Sequence, residues 1–83
     1  MDFENRTVVI TGAAGNLGRA VAVAFAERGA RLALLDHNRG MLDKVFSDAS
    51  DTRMTIAVDL LDRKAVEGSV RQVVDRFGRI DVL

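Results

Sequence analysis

Three glycines within eight residues, Thr11-Gly12-Ala13-Ala14-Gly15-Asn16-Leu17-Gly18, join an apolar run (Val8, Val9, Ile10) to a helical pattern rich in small side chains. Few folds need that join. A chain that leaves a buried strand and turns at once into a helix requires backbone free of Cβ, both for positive φ and for the close approach of a ligand. The helix after the turn points unpaired N–H groups and the positive end of its dipole back at it, which suits an anion. Such a turn reads as the phosphate loop of a βαβ dinucleotide-binding unit.

A glycine turn also serves ordinary loops, so its weight depends on the residues that stand at set distances beyond it. Ala30 to Leu35 reads as a second buried strand, and Asp36 stands at its end, 18 residues after Gly18. A carboxylate there accepts hydrogen bonds from the hydroxyls of an adenosine ribose. Thr55 to Val58 reads as a third strand, followed by Asp59 and Leu60. Asp59 has two readings, acceptor for the adenine amine or helix cap, and Asp62 competes for the cap. Asp36 also has a second reading as a cap, for which Asn38 is better placed. His37, the one histidine, reads as a solvated loop residue beside the adenine, without chemistry of its own.

The rest of the chain alternates strand and helix without linker or repeat. A first helix is predicted over Asn16 to Arg28, with Leu17, Val21, Ala24 and Phe25 on one face and Gly29 ending it. A second runs from Asn38 to Ser47 and carries Met41, Leu42, Val45 and Phe46, then a polar loop spans Asp48 to Thr52. A third covers Asp62 to Phe77, with Ala65, Val66, Val70, Val73, Val74 and Phe77 on one stripe and Gly78 stopping it. Strands with so little polar alternation belong in a parallel sheet covered on both faces. The expected fold is α/β: the N-terminal half of a Rossmann-type doubly wound sheet, βαβαβα plus the start of a fourth strand (Ile80-Asp81-Val82-Leu83), in order 3-2-1-4. An ending on an apolar strand residue reads as a fragment, unstable or self-associated by itself.

Composition removes other classes. Lys+Arg and Asp+Glu are balanced at 12 each, so no basic field invites nucleic acid. The absence of cysteine excludes disulfides and thiolate metal sites and fits a reducing, cytoplasmic setting. The longest uninterrupted apolar run, Ala20 to Ala26, falls far short of a membrane span, and the first residues show no signal-peptide pattern.

The run Arg6 to Ala20 through the glycine turn, with Leu35-Asp36, Val58-Asp59-Leu60 and Arg76-Phe77-Gly78-Arg79-Ile80-Asp81-Val82-Leu83, closely resembles the N-terminal part of short-chain dehydrogenases/reductases. The resemblance implies that residues 1–83 form a dinucleotide-binding segment. It implies that Gly12, Gly15 and Gly18 with the intervening backbone, Asn16 and Leu17 included, hold the pyrophosphate. It implies further that Asp36 binds the ribose and that Asp59 and the Leu60 amide meet the adenine. The glycine spacing here is TGxxGxxG where standard members have TGxxxGxG, so Asn16 stands where that pattern has a glycine; Asn tolerates left-handed backbone best of the non-glycine residues.

The family's catalytic Tyr, Lys, Ser and Asn lie beyond the fourth strand, and this chain contains no tyrosine. By itself it is expected to bind cofactor and to transfer no hydride. An ionised Asp36 would repel a 2′-phosphate and so favours NAD, while Arg39 keeps NADP open. The whole protein is expected to be a homo-oligomer that moves hydride between nicotinamide and a hydroxyl/carbonyl pair of a small molecule. A non-catalytic dinucleotide sensor and a methyltransferase with a related glycine turn remain as alternative functions.

Overall fold

The computed structural model describes residues 2–47 and 50–82. Six elements succeed one another: β1 (Thr7–Thr11), α1 (Asn16–Glu27), β2 (Arg31–Asp36), α2 (Arg39–Val45), β3 (Arg53–Ala57) and α3 (Arg63–Phe77). The predicted loop residues Asp48 and Ala49, and Leu83 of the fourth strand, lie outside the described residues.

β1 pairs in parallel with β2, Val9 opposite Ala33, and β2 pairs in parallel with β3, Leu35 opposite Ile56. Read outward from β1 the order is 1-2-3. The free edge of β1 receives the chain again: Val82 forms a parallel bridge with Val8, and the Val9 amide donates to the Val82 carbonyl at 2.8 Å. Asp81 prepares that return. Its backbone N–H donates to the Thr7 carbonyl at 2.9 Å, and its Oδ2 accepts the Thr7 amide at 2.9 Å. Arg79 Nε donates to Oδ1 of the same carboxylate at 2.9 Å. The Thr7 amide first, and Arg79 second, hold the Asp81 carboxyl below its ordinary value.

Because successive strand residues point to opposite faces, an unbroken apolar strand fills two cores at once. Val8, Ile10, Leu32 and Leu34 face one core, closed by Ala22, Val21 and Phe25 of α1 and by Leu42 of α2. Val9, Ala33, Leu35, Ile56 and Val58 face the other, closed by Val73 and Phe77 of α3. Two helices on one face and the third on the other result from right-handed crossovers, since the path runs outward to β3 and then turns back past β1. Leu34 and Leu42 are fully enclosed, so truncating either to Ala costs about 2–5 kcal/mol.

The helices bury narrower stripes than their sequence periodicity suggests. Leu17 is 79% exposed and Ala24 is also exposed, so the buried face of α1 runs through Val21, Ala22 and Phe25 instead. Met41 of α2 is exposed, and Leu42 carries its core contact. On α3, Val70 and Val74 are exposed while Ser69 is buried, its hydroxyl donating to the Ala65 carbonyl at 2.9 Å. That back-bond lets a polar residue share the Val73 and Phe77 face without an unsatisfied group.

Candidate functional site

All three strands end on one side of the sheet, and there the predicted residues meet. At the end of β1, Gly12 adopts φ +63°, a conformation that disfavours any side chain. The turn is tied down by its own amides: Gly15 N–H donates to Gly12 O at 3.1 Å, and Ala13 N–H to the Leu35 carbonyl of β2 at 3.0 Å. Gly18, one turn into α1, lies so close that a Cβ would stand 2.3 Å from Gly12 O and 2.8 Å from Ala13 Cα. The helix can therefore start immediately beneath the turn only because residue 18 lacks a side chain.

Gly15 differs from both. Its φ of −77° suits any residue, and a Cβ there would meet the protein only at 3.4 Å, at Gly12 O. Nothing internal demands glycine at this exposed position; the room beside its backbone does suit an approaching anion. As N-cap of α1, Gly15 offers no side-chain acceptor to the first-turn amides. Asn16 begins the helix, and among the described residues the one positive φ outside glycine belongs to Asn5. The expectation that residue 16 must tolerate left-handed backbone is thus corrected, because helix entry at Asn16 moves the strained position back to Gly12. Leu17 stands outside the core, in the first turn of α1.

Asp36 closes the end of β2 with its side chain 8% exposed. Oδ2 accepts the Ala14 amide at 3.0 Å, and Oδ1 accepts the Asn38 amide at 3.1 Å. The helix cap it competed for belongs to Asn38, whose Oδ1 accepts the Met41 amide at 3.0 Å. A carboxylate offers about four acceptor positions; those bonds take two, and His37 Nδ1 stands 3.3 Å from Oδ1. The Ala14 amide is the participant that sequence reasoning missed; a backbone donor leaves no side-chain signature, and its one clue was the small-residue pair Ala13-Ala14.

After β3, Val58 N–H donates to the Asp36 carbonyl at 2.9 Å, which sets the third strand end beside the second. Asp59 forms its own turn, Oδ1 accepting the Leu61 amide at 2.9 Å, while Asp62 caps α3 through Ala65 N–H at 3.1 Å. Leu60 projects at 53% exposure. Gly12, Leu35, Asp36, His37, Val58, Asp59 and Leu60 line a hollow of about 210 Å³. Arg39 is turned away from it, donating to Asp43 at 3.2 Å and to Thr55 Oγ1 at 3.0 Å. A larger hollow, about 360 Å³ and lined by Phe46, Arg53, Thr55 and Arg76, shares no residue with the glycine turn.

The end of the sheet thus gathers a helix start without a side-chain cap at Gly15 and a nearly buried carboxylate at Asp36. Among the described residues no group of three or more His, Asp or Glu could hold a metal ion. No helix among them is long and apolar enough to cross a membrane.

Comparison with known proteins agrees with this fold. The chain is 40% identical over 84 residues to meso-2,3-butanediol dehydrogenase of Serratia marcescens, matching 100% of this chain and 34% of that one. It is 40% identical over 84 residues to levodione reductase of Leifsonia aquatica, matching 95% and 32% of the two chains. The solved structure of a glucose/ribitol short-chain dehydrogenase from Brucella melitensis superposes with a TM-score of 0.92 at 39% identity, over 99% of this chain and 36% of that one. NAD+-bound xylitol dehydrogenase superposes at 0.90 with 36% identity, over 99% and 33%. The chain thus spans about a third of the length of these relatives. The family model for short chain dehydrogenases matches residues 6–83, the same stretch that builds the sheet and gathers its strand ends, and the chain belongs to that family.

Proposed function

We propose that residues 1–83 are the adenosine-binding segment of a nicotinamide-dependent oxidoreductase, with NAD as the preferred cofactor and NADP as the alternative. One observation carries the reading: Gly15 sits at an uncapped helix start where the protein's own atoms give glycine no reason to be. Gly12, Gly15 and Gly18, with the backbone of Asn16 and Leu17, would hold the pyrophosphate. Asp36 would accept the ribose hydroxyls, and Asp59 with the Leu60 amide would border the adenine. The residues fit this group, since the turn leaves space beside backbone donors and the hollow beyond it ends on a carboxylate.

When bound, nicotinamide supplies hydride exchange with a hydroxyl/carbonyl pair, and a small-molecule substrate of that kind is proposed for the whole protein. The segment's own part is to bind and orient. The Asp36 carboxylate opposes a 2′-phosphate by about 1–4 kcal/mol according to screening. Its ties to Ala14 and Asn38 hold it in place beforehand, so little ordering is left for the ligand. No tyrosine is present to move the substrate proton, and that step falls outside this segment's chemistry. A cysteine-free sequence supports a cytoplasmic setting, and the exposed Val70 and Val74 of α3 support assembly into a homo-oligomer.

The test is calorimetric titration of NAD+ and NADP+ into wild type and Asp36→Ala. Wild type should prefer NAD+; the variant should lose about tenfold or more in NAD+ affinity, with the ratio moving toward NADP+. An unchanged ratio would strip Asp36 of its ribose role, and absence of any nucleotide binding would strip the glycine turn of its own as well.

A further inference from the structure

The two edges of the sheet are finished differently. The outer edge of β1 is met by Val82, whereas among the described residues no strand pairs with the outer edge of β3. The Leu32 amide donates to the Thr52 carbonyl and the Val58 amide to the Asp36 carbonyl. In a parallel ladder every second residue of a strand bonds to the same neighbour, so Met54 and Ile56 face β2 while Arg53, Thr55 and Ala57 turn their N–H and C=O groups outward. Arg53 N–H meets the Ser50 carbonyl at 3.5 Å. Thr55 and Ala57 are left as an open stretch of strand.

Thr55 borders the hollow of about 360 Å³, and its walls come from both faces of the sheet. Arg53 is in register with Leu32 on the face covered by α1 and α2, and its guanidinium lies 5.7 Å from the centre of the Phe46 ring. Arg76 belongs to α3 on the other face. It stacks over Phe77 at 5.3 Å and donates from Nη2 to the Ser50 carbonyl at 2.9 Å. The lining thus contains two guanidinium groups and no carboxylate. Arg39, which reaches Thr55 Oγ1, is paired with Asp43, and Asp51 is exposed in the turn outside that lining.

We infer that the outer edge of β3 is a docking strand for an extended acidic segment of a partner protein, bound through the backbone of Thr55 and Ala57 with its carboxylates set against Arg53 and Arg76. Backbone pairing gives such a contact its affinity, and the flanking charges select the partner. Side chains of an added strand alternate between the two faces, so two consecutive acids reach the two arginines, one on each side. Stacking on Phe46 and Phe77 holds both guanidinium planes beforehand, which lowers the ordering left for binding. A second copy of this chain suits the edge less well, since it brings two further arginines to a hollow without an acid. The hollow and the glycine turn have no residue in common, so partner docking and cofactor binding are separable.

The probe is the capped peptide acetyl-Thr-Val-Glu-Glu-Val-Thr-amide, whose sequence reads the same in either strand direction. One control replaces both Glu with Lys, and another methylates every backbone nitrogen. Binding is followed at low salt by fluorescence anisotropy, and the pairing by hydrogen exchange at the Thr55 and Ala57 amides. Wild type should bind the Glu peptide about fivefold or more tighter than the Lys peptide, with slowed exchange at both amides, and should not bind the methylated one. Arg53→Glu/Arg76→Glu should reverse the order of the two peptides, and Arg53→Gln/Arg76→Gln should bind both alike, each with an unchanged circular dichroism spectrum. Equal affinity of wild type for Glu and Lys peptides, equal affinity for methylated and unmethylated ones, or no peptide binding would overturn the proposal. Protection of Thr55 and Ala57 that rises with protein concentration in the absence of peptide would overturn it too, and would give the edge to a second copy.

Discussion

The turns that lead into α1 and α3 solve the same problem in opposite ways. Each carries the chain from a buried strand end into a helix whose first amides lack partners. Before α3 one of those amides is satisfied by a side chain, Ala65 N–H donating to Asp62, and Asp59 secures the preceding turn by accepting the Leu61 amide. Before α1 the cap position is Gly15, with no side chain to offer, and the turn is secured by backbone bonds instead. One helix start is closed by a carboxylate of the protein; the other has no side-chain cap, which supports the anion-binding role proposed for it. A glycine cap in place of a side-chain cap sacrifices a few tenths of a kcal/mol of local stability, and in this fold the sacrifice falls at the strand end where Asp36 also stands.

Substitutions can break or sharpen that contrast. The largest effect is expected from Gly18→Ala, whose methyl would press on Gly12 O and Ala13 Cα, both backbone atoms that cannot step aside. A loss of about 3 kcal/mol in urea unfolding should accompany loss of nucleotide binding. Gly15→Ser should separate those two readouts. The hydroxyl would cap α1 as Asp62 caps α3, adding a few tenths of a kcal/mol of stability while lowering dinucleotide affinity about tenfold in titration. Conversely, Asp62→Ala should cost about 1 kcal/mol in thermal or urea unfolding and leave nucleotide affinity unchanged.

The smallest effect lies at the far end of β1, where Asp81 also serves a backbone amide. Its folded-state value is depressed below 3.8 by the Thr7 amide and Arg79, so its contribution is fully present above that ordinary value. Stability should fall as pH drops through the lowered folded value. Asp81→Asn should flatten that acid limb in pH-dependent unfolding while leaving the neutral-pH site intact.

Much of the fold was legible because strands and turns are written in local chemistry. The apolar runs, the spacing of Gly12, Gly15 and Gly18 and the acid at the end of β2 all sit where the sequence predicts. The helix faces were less legible. Periodicity marks Leu17, Val70 and Val74 as apolar, yet which apolar residues are covered depends on where the sheet lies, and these three stand outside its reach. Ser69 was invisible for the converse reason, since its burial depends on a bond to its own helix. At the site, side-chain roles could be assigned from residue type, whereas the Ala14 amide had no letter to announce it.

That amide gives the site a property neither subsite has alone. The same carboxylate proposed for the sugar end also anchors the bend proposed for the diphosphate, so the two halves share a hinge pin at Asp36 Oδ2. An engineer who swaps Asp36 for a small neutral residue to admit a bulkier cofactor also strands a donor in a nearly sealed corner, a loss of about 1–3 kcal/mol. Retargeting this scaffold therefore calls for a replacement that still accepts from residue 14, such as Asn or Ser, before any new cation is installed beside it.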